Sequence, residues 1–291
     1  MNIVTGACGF IGSNLVNKLL QLNKKVIAVD YVKRDYFDYS KLHFIYANDF
    51  YDNLDHYCKG TPNIFHEGAI SSTTETNWKK LLERNVGCTL NLIYYCRDIG
   101  INLQYASSAS VYGNPQKQVW HQKDRPLSPL NLYAKSKANV DYISNLVINS
   151  KKSPSLIQGM RYFNVYGPNE DHKGNQASPY HKFKKQLKET GKIKLFEGSM
   201  GFYRDFVSVE EIIQKKLYCL ENRLSGIYDI GTGTPKSFYD VAIEVGGSDD
   251  IIEWIPIPNN LKEHYQTYSY ANMDWYYETN FHTEGKFLST I

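Results

Sequence analysis

Thr5-Gly6-Ala7-Cys8-Gly9-Phe10-Ile11-Gly12 sets three glycines at i, i+3 and i+6 between the β-branched run Ile3 to Thr5 and an apolar helical face made by Ile11, Leu15, Leu19, Leu20 and Leu22. A Cβ in such a turn would block its tight bend, hold the backbone away from a pyrophosphate and separate helix from strand. The helix amides left open then hold the anion. Asp30 closes the next β-branched run, 18 positions beyond Gly12, near the spacing of a carboxylate that hydrogen-bonds a ribose. Strand, glycine turn, helix, strand and acid together predict a dinucleotide site on an α/β fold.

Outward from that stretch, short β-branched runs alternate with helical periodicity, the trace of strands joined by crossover helices in a parallel sheet. Strands are predicted at Ile3 to Thr5, Val26 to Asp30, Asn63 to His66, Leu103 to Ser107 and Leu156 to Tyr162. The expected architecture is a Rossmann-type doubly wound parallel sheet with a smaller α/β substrate-binding domain. After Gly167-Pro168 the rhythm breaks into Gly, Asn, Pro and His, and the chain is expected to return to the sheet around Ile227 to Ile230. A dinucleotide-binding domain over 1–165, returning at about 203–230, would then alternate with a substrate-binding domain over 166–202 and 231–291.

A second constellation carries chemistry. In Tyr133-Ala134-Lys135-Ser136-Lys137 the tyrosine and second lysine stand four apart, on one face of a helix, and Ser107-Ser108 closes a strand. These elements can meet at the strand ends, where open parallel sheets bind ligands. For Tyr133 to act as a base near neutral pH its pKa must fall by roughly three units, at a cost of about 4 kcal/mol. An ammonium about 5 Å away at an effective dielectric near 20 supplies about 3 kcal/mol, and a cationic nicotinamide could supply the rest.

With these residues in place, the chain resembles the extended short-chain dehydrogenase/reductase family, the NAD-dependent epimerases and dehydratases, and within it the heptose 6-epimerases that act on an ADP-activated sugar. The closer phrases are Phe65-His66-Glu67-Gly68-Ala69, Ser71-Ser72-Thr73-Thr74-Glu75, Tyr105-Ala106-Ser107-Ser108-Ala109 and Arg161-Tyr162-Phe163-Asn164-Val165-Tyr166-Gly167-Pro168. His172-Lys173-Gly174, Leu195-Phe196-Glu197-Gly198-Ser199, Arg204-Asp205-Phe206-Val207 and Gly231-Thr232-Gly233 extend the likeness to about Gln266. The resemblance implies inversion at carbon six of a nucleotide-diphosphate heptose, an ADP-heptose, through transient oxidation by a bound nicotinamide cofactor and with no net redox change.

It also implies roles. Tyr133 and Lys173 would serve as acid/base groups on opposite faces of the carbon, Ser108 would polarise the oxygen, and Lys137 would tune Tyr133 and hold the nicotinamide ribose. Lys173 by itself reads as a surface lysine in a polar loop. The cofactor would touch Gly6, Gly9, Phe10, Ile11, Gly12, Asp30 and Lys33, then Asp49, Glu67, Ala69 and Asn85, besides Tyr133 and Lys137. Substrate would meet Ser108, Asn164, Lys173, Phe196, Glu197, Arg204 and Tyr265. Arg204 suits a diphosphate, because a guanidinium grips one by two parallel hydrogen bonds. The family mostly uses NADP. Asp30 would repel a 2′-phosphate and favour NAD, whereas Lys33 or Arg34 could accept it, so NADP stands first and NAD second.

Composition narrows the alternatives. Net charge is +3 and the basic residues are scattered, which leaves no footprint for nucleic acid. The densest basic run, Lys182, Lys184, Lys185 and Lys188, interleaves with Phe183 and Leu187 as a solvated helix face would. Five cysteines without a C-x-x-C pair argue against a disulfide framework or zinc site, and no metal is expected. No apolar run approaches the length of a membrane span, so a cytoplasmic protein is expected, and by resemblance a homo-oligomer. A dehydratase would need an acidic pair where Ser107-Ser108-Ala109 stands, which favours an epimerase. A non-catalytic dinucleotide binder would have no use for Tyr133, Lys137, Ser108 and Lys173 together.

Overall fold

The computed structural model describes residues 1–122, 124–150, 155–258 and 266–281. Its central element is a seven-stranded sheet. Strands β1 (Asn2–Thr5), β2 (Val26–Asp30), β3 (His43–Tyr46), β4 (Asn63–His66), β5 (Asn102–Ser108), β6 (Ile157–Tyr162) and β7 (Gly226–Ile230) lie in the spatial order β7-β6-β5-β4-β1-β2-β3. Every neighbouring pair is parallel. The order reverses between β1 and β4, the place where doubly wound sheets open a crevice at the carboxyl ends of their strands.

The five strands read from the sequence are present, and so is the returning β7. Strand β3 was not anticipated, for a physical reason: it is the edge strand, and of His43–Tyr46 only Ile45 is buried, so it lacks the continuous apolar run of the inner strands.

Alternate residues of each strand feed opposite faces. Ile3, Ile27, Ile64 and Leu103 pack with Leu92, Ile93 and Cys96 of helix Cys88–Ile99 and with Val140 and Val147 of helix Leu132–Ile148. Val4, Ala28 and Phe65 face the other way, onto Leu15, Val16 and Leu19 of helix Phe10–Gln21 and Ile213 and Leu217 of helix Val209–Glu221. Both faces are thereby covered, as an all-parallel sheet requires. A separate apolar cluster gathers Tyr180 and Phe183 of helix Pro179–Thr190, Ile193 and Leu195 of strand Ile193–Phe196, and Val241 and Ala242 of helix Phe238–Gly246. Lys184, Lys185 and Lys188 point to solvent from the first of these helices, as its periodicity implies.

His66 ends β4 in the core, 2% exposed, with its ring nitrogens bonded to Thr5 Oγ1 (2.7 Å) and Thr89 Oγ1 (3.0 Å). Burial, with Lys137 and Lys216 nearby, depresses its pKa to about 3. An unfolded chain takes up a proton near pH 6.5 that the folded chain refuses, so stability falls as the pH drops below that point. We expect about 2 kcal/mol of this loss between pH 7 and 5, and urea unfolding at both pH values should show it missing from His66→Gln.

Candidate active site

Two adjoining cavities of about 340 and 430 Å³ occupy the crevice at the β1–β4 switch, and both are lined by Gly6, Gly9, Glu67, Ala69 and His172. The glycines are there for steric reasons. Gly6 has φ +64°, and a Cβ on it would lie 2.6 Å from the Gly68 nitrogen. A Cβ on Gly12 would lie 2.1 Å from the Gly6 carbonyl oxygen. Gly9 caps helix Phe10–Gln21 with no side chain, leaving the first-turn amides without a side-chain partner. That combination is a cradle for a phosphate anion.

The smaller cavity holds Asp30, Tyr31, Arg34 and Arg84. Asp30 accepts the Cys8 amide (2.8 Å) and the Tyr31 amide (2.7 Å), which ties the end of β2 to the glycine turn. Lys33 turns away: its ammonium lies 5.2 Å from the Tyr39 ring centre and 5.0 Å from that of Phe44. Arg34 is the basic residue of this pair that lines the cavity, and its Nε is buried without a hydrogen-bond partner. Asp49 is likewise outside, bonded to Asn53 Nδ2 (2.8 Å) and the Tyr57 hydroxyl (2.5 Å) on its own helical segment. Asn85 works behind the wall. Its amide accepts from Ile70 N (2.8 Å) and donates to Ile70 O (3.0 Å) and Ser136 Oγ (3.1 Å), pinning the loop that presents Ala69.

The larger cavity gathers Phe10, Ile11, Gly12, Ser108, Tyr133, Lys137 and Lys173. Helix Leu132–Ile148 starts where Asn131 accepts the Ala134 amide (2.8 Å), and this sets Tyr133 and Lys137 on the face turned to β5. Lys137 donates to the Ala106 carbonyl (2.7 Å), and burial lowers its pKa to about 8 against the pull of Asp141 and Glu67. Tyr133 lines the same cavity. Burial raises its pKa above 10, a hydrogen bond with Ser108 opposes the rise, and Asp141 adds to it.

Lys173 departs from its reading as a surface residue. The loop after strand Asn164–Tyr166 folds over a buried carboxylate, Glu170, and returns Lys173 into the cavity with Tyr133. Its Nζ stands 3.5 Å from Glu170 Oε2 and 4.6 Å from the Phe10 ring centre. Burial lowers its pKa, and Glu170 opposes that shift.

The substrate set is less convergent. Asn164 donates to the Asp205 carbonyl (3.3 Å), and Arg204 donates to the Tyr203 carbonyl (2.9 Å) and to that of Gln266. Neither these two nor Phe196 and Glu197 line the two cavities, and Tyr265 lies outside the described residues. Sequence reasoning missed Glu170 and Lys216. Lys216 is 0% exposed, bonded to Glu67 Oε1 (2.7 Å) and the Tyr162 hydroxyl (2.9 Å), with Tyr162 donating to Glu67 in turn (3.0 Å). Periodicity could have found it, because residue 216 falls on the buried stripe with Ile212, Ile213 and Cys219.

Residues 2–231 match the NAD dependent epimerase/dehydratase family. The chain belongs to that family. An ADP-L-glycero-D-manno-heptose-6-epimerase of Brachyspira hyodysenteriae is 38% identical over 94% of this chain and 89% of its own length. The crystal structure of the enzyme of the same name from Helicobacter pylori is similar with a TM-score of 0.75, at 28% identity over 92% of this chain and 91% of that one. A Thermus thermophilus UDP-glucose 4-epimerase in complex with NAD gives 0.78 at 25% identity, over 96% and 93%. In this epimerase/dehydratase fold the contact of residue 12 with the Gly6 carbonyl is the tightest element of the cradle. Gly12→Ala is therefore expected to weaken NAD(P)H binding by at least tenfold in a fluorescence titration, with a lower melting temperature.

Proposed function

We propose that the chain is a nicotinamide-dependent nucleotide-sugar epimerase that interconverts the carbon-six epimers of an ADP-heptose. One observation carries the reading: Lys173, brought in by a separate loop, enters the cavity that Tyr133, Lys137 and Ser108 already line. A single acid/base group serves one face of a carbon, and inversion needs both. The relatives named above support the sugar and its nucleotide.

The residues fit a dinucleotide. The Gly6–Gly12 cradle would take its pyrophosphate, Asp30 and Arg34 its adenosine ribose, and Lys137 its nicotinamide ribose. When bound, such a cofactor supplies reversible hydride acceptance at a sugar carbon. The chain's own groups do the rest. Ser108 and Tyr133 hold the substrate oxygen, Tyr133 moves a proton at that oxygen on one side and Lys173 on the other, and Phe10, Ile11 and Phe163 keep the reacting end apolar. NADP is the proposed cofactor, with NAD second. Among the described residues no helix is long and apolar enough to cross a membrane, and the five cysteines are free, which supports a cytoplasmic setting. Exposed Tyr94, Ile99, Tyr142 and Leu146 support self-association through the helices Cys88–Ile99 and Leu132–Ile148.

Incubation of the purified protein with ADP-D-glycero-D-manno-heptose, with NADP or NAD supplied, should yield the L-glycero epimer. No conversion with either cofactor would remove this function. Tyr133→Phe and Lys173→Met should each lower kcat by on the order of 100-fold while leaving NAD(P)H binding in place. A fully active Lys173→Met would return that lysine to the surface. Arg34→Leu should cost NADPH at least tenfold in affinity and leave NADH nearly unchanged, whereas Lys33→Leu should alter neither; equal losses for both cofactors would remove Arg34 as the reader of the 2′-phosphate.

A further inference from the structure

Glu170 is a buried ionisable group beside the larger cavity that the proposed chemistry leaves without a role. It is 1% exposed, and a carboxylate so placed has to replace its lost hydration with protein donors. Four converge on it. The Gly167 amide (3.1 Å) and Ser178 hydroxyl (2.7 Å) reach Oε1, and the Ser178 amide (2.7 Å) and Lys173 ammonium (3.5 Å) reach Oε2. The first three close the loop 167–178 around the carboxylate. The fourth is the only one that leads into the cleft.

Other charges around Lys173 do not share this work. Lys182, from helix Pro179–Thr190, disfavours its ammonium, and His172 beside it is pushed toward its neutral form by burial. Asp171 is turned to solvent, 3.9 Å from the His181 ring. Phe10 offers a ring face, and Tyr133 and Lys137 stand elsewhere in the same cavity. Glu170 is thus the anion in contact with the amine.

We propose that Glu170 is the positioning residue of Lys173: it holds the amine in the cleft with Tyr133 and keeps it an ammonium, so that Lys173 enters turnover as the proton donor. The inference rests on the reading of Lys173 as an acid/base group. In that role an Nζ–H bond breaks as an O–H bond forms on the substrate oxygen, and a neutral amine is left beside the carboxylate. Tyr133 takes its proton from the same oxygen in the opposite half of the reaction. The proton it gains and the one Lys173 loses are exchanged with solvent between turnovers.

Competitive labelling with trace isotopic acetic anhydride across the alkaline range, read by mass spectrometry at the Lys173 peptide, measures the protonation of this amine without any substrate. Glu170→Gln keeps the shape and removes the charge, and should lower the Lys173 pKa by about one pH unit. Ser178→Ala loosens the carboxylate but keeps its charge, and should leave that value in place. Glu170→Asp, which also serves if the glutamine variant fails to fold, should give a smaller fall. An unmoved Lys173 in the folded variants overturns the proposal. In turnover, Glu170→Gln should lower kcat with little change in KM and draw the alkaline limb of the pH profile to lower pH. A wild-type protein inactive on the heptose would overturn the proposed substrate and leave the labelling result to judge Glu170 alone.

Discussion

The Gly6 carbonyl lies where a side chain on residue 12 would have to begin, and the rest of the site depends on that approach. It draws the first turn of helix Phe10–Gln21 onto the end of β1. Gly6 in turn abuts the Gly68 backbone, so the extension of β4 closes on the same point. Asp30, by accepting the Cys8 amide, ties in β2. Three strand ends and a helix amino terminus converge there, with no Cβ on Gly6, Gly9 or Gly12 to hold them apart.

Around that neutral backbone, several charges buried among the described residues have partners. An unpaired ion in the interior costs several kcal/mol, and three near the cleft are held by partners: Glu67 with Lys216 and Tyr162, Glu170 with the loop donors and Lys173, Lys137 with the Ala106 carbonyl. Glu67 forms part of the wall shared by both cavities, a place where a bare carboxylate would repel a pyrophosphate. Lys216 removes that repulsion from behind the wall. Arg161 bridges Asp141 (2.7 Å) and the Tyr112 hydroxyl (2.7 Å).

Legibility in the sequence followed the range of the interaction. The glycine spacing, Asp30 and the Tyr133–Lys137 pair are local patterns, fixed by turn sterics or helical repeat, and they fall where the pattern puts them. Strand β3 was illegible because an edge strand buries too little to leave a period. Lys33 and Arg34 are adjacent, and their choice of side depends on Tyr39 and Phe44, which no spacing rule relates to them. Asp49, Asn164, Phe196, Glu197 and Arg204 came by resemblance, and backbone or neighbouring side chains occupy the polar groups of Asp49, Asn164 and Arg204. Lys173 is the sharpest case. A lysine between histidine and glycine in a polar loop carries no local sign of burial, and only the fold of that loop over Glu170 turns it inward.

The two groups proposed to handle protons meet the same penalty in opposite chemical forms. Burial disfavours the phenolate of Tyr133 and the ammonium of Lys173, so by itself it would leave both groups neutral and the pair without direction. The chain opposes that penalty on both sides. Glu170 supplies an anion that opposes the loss of the Lys173 ammonium, and the Ser108 hydrogen bond opposes the pKa rise at Tyr133. A cation bound beside Tyr133 would favour its phenolate further, which would couple proton transfer to occupancy of the site.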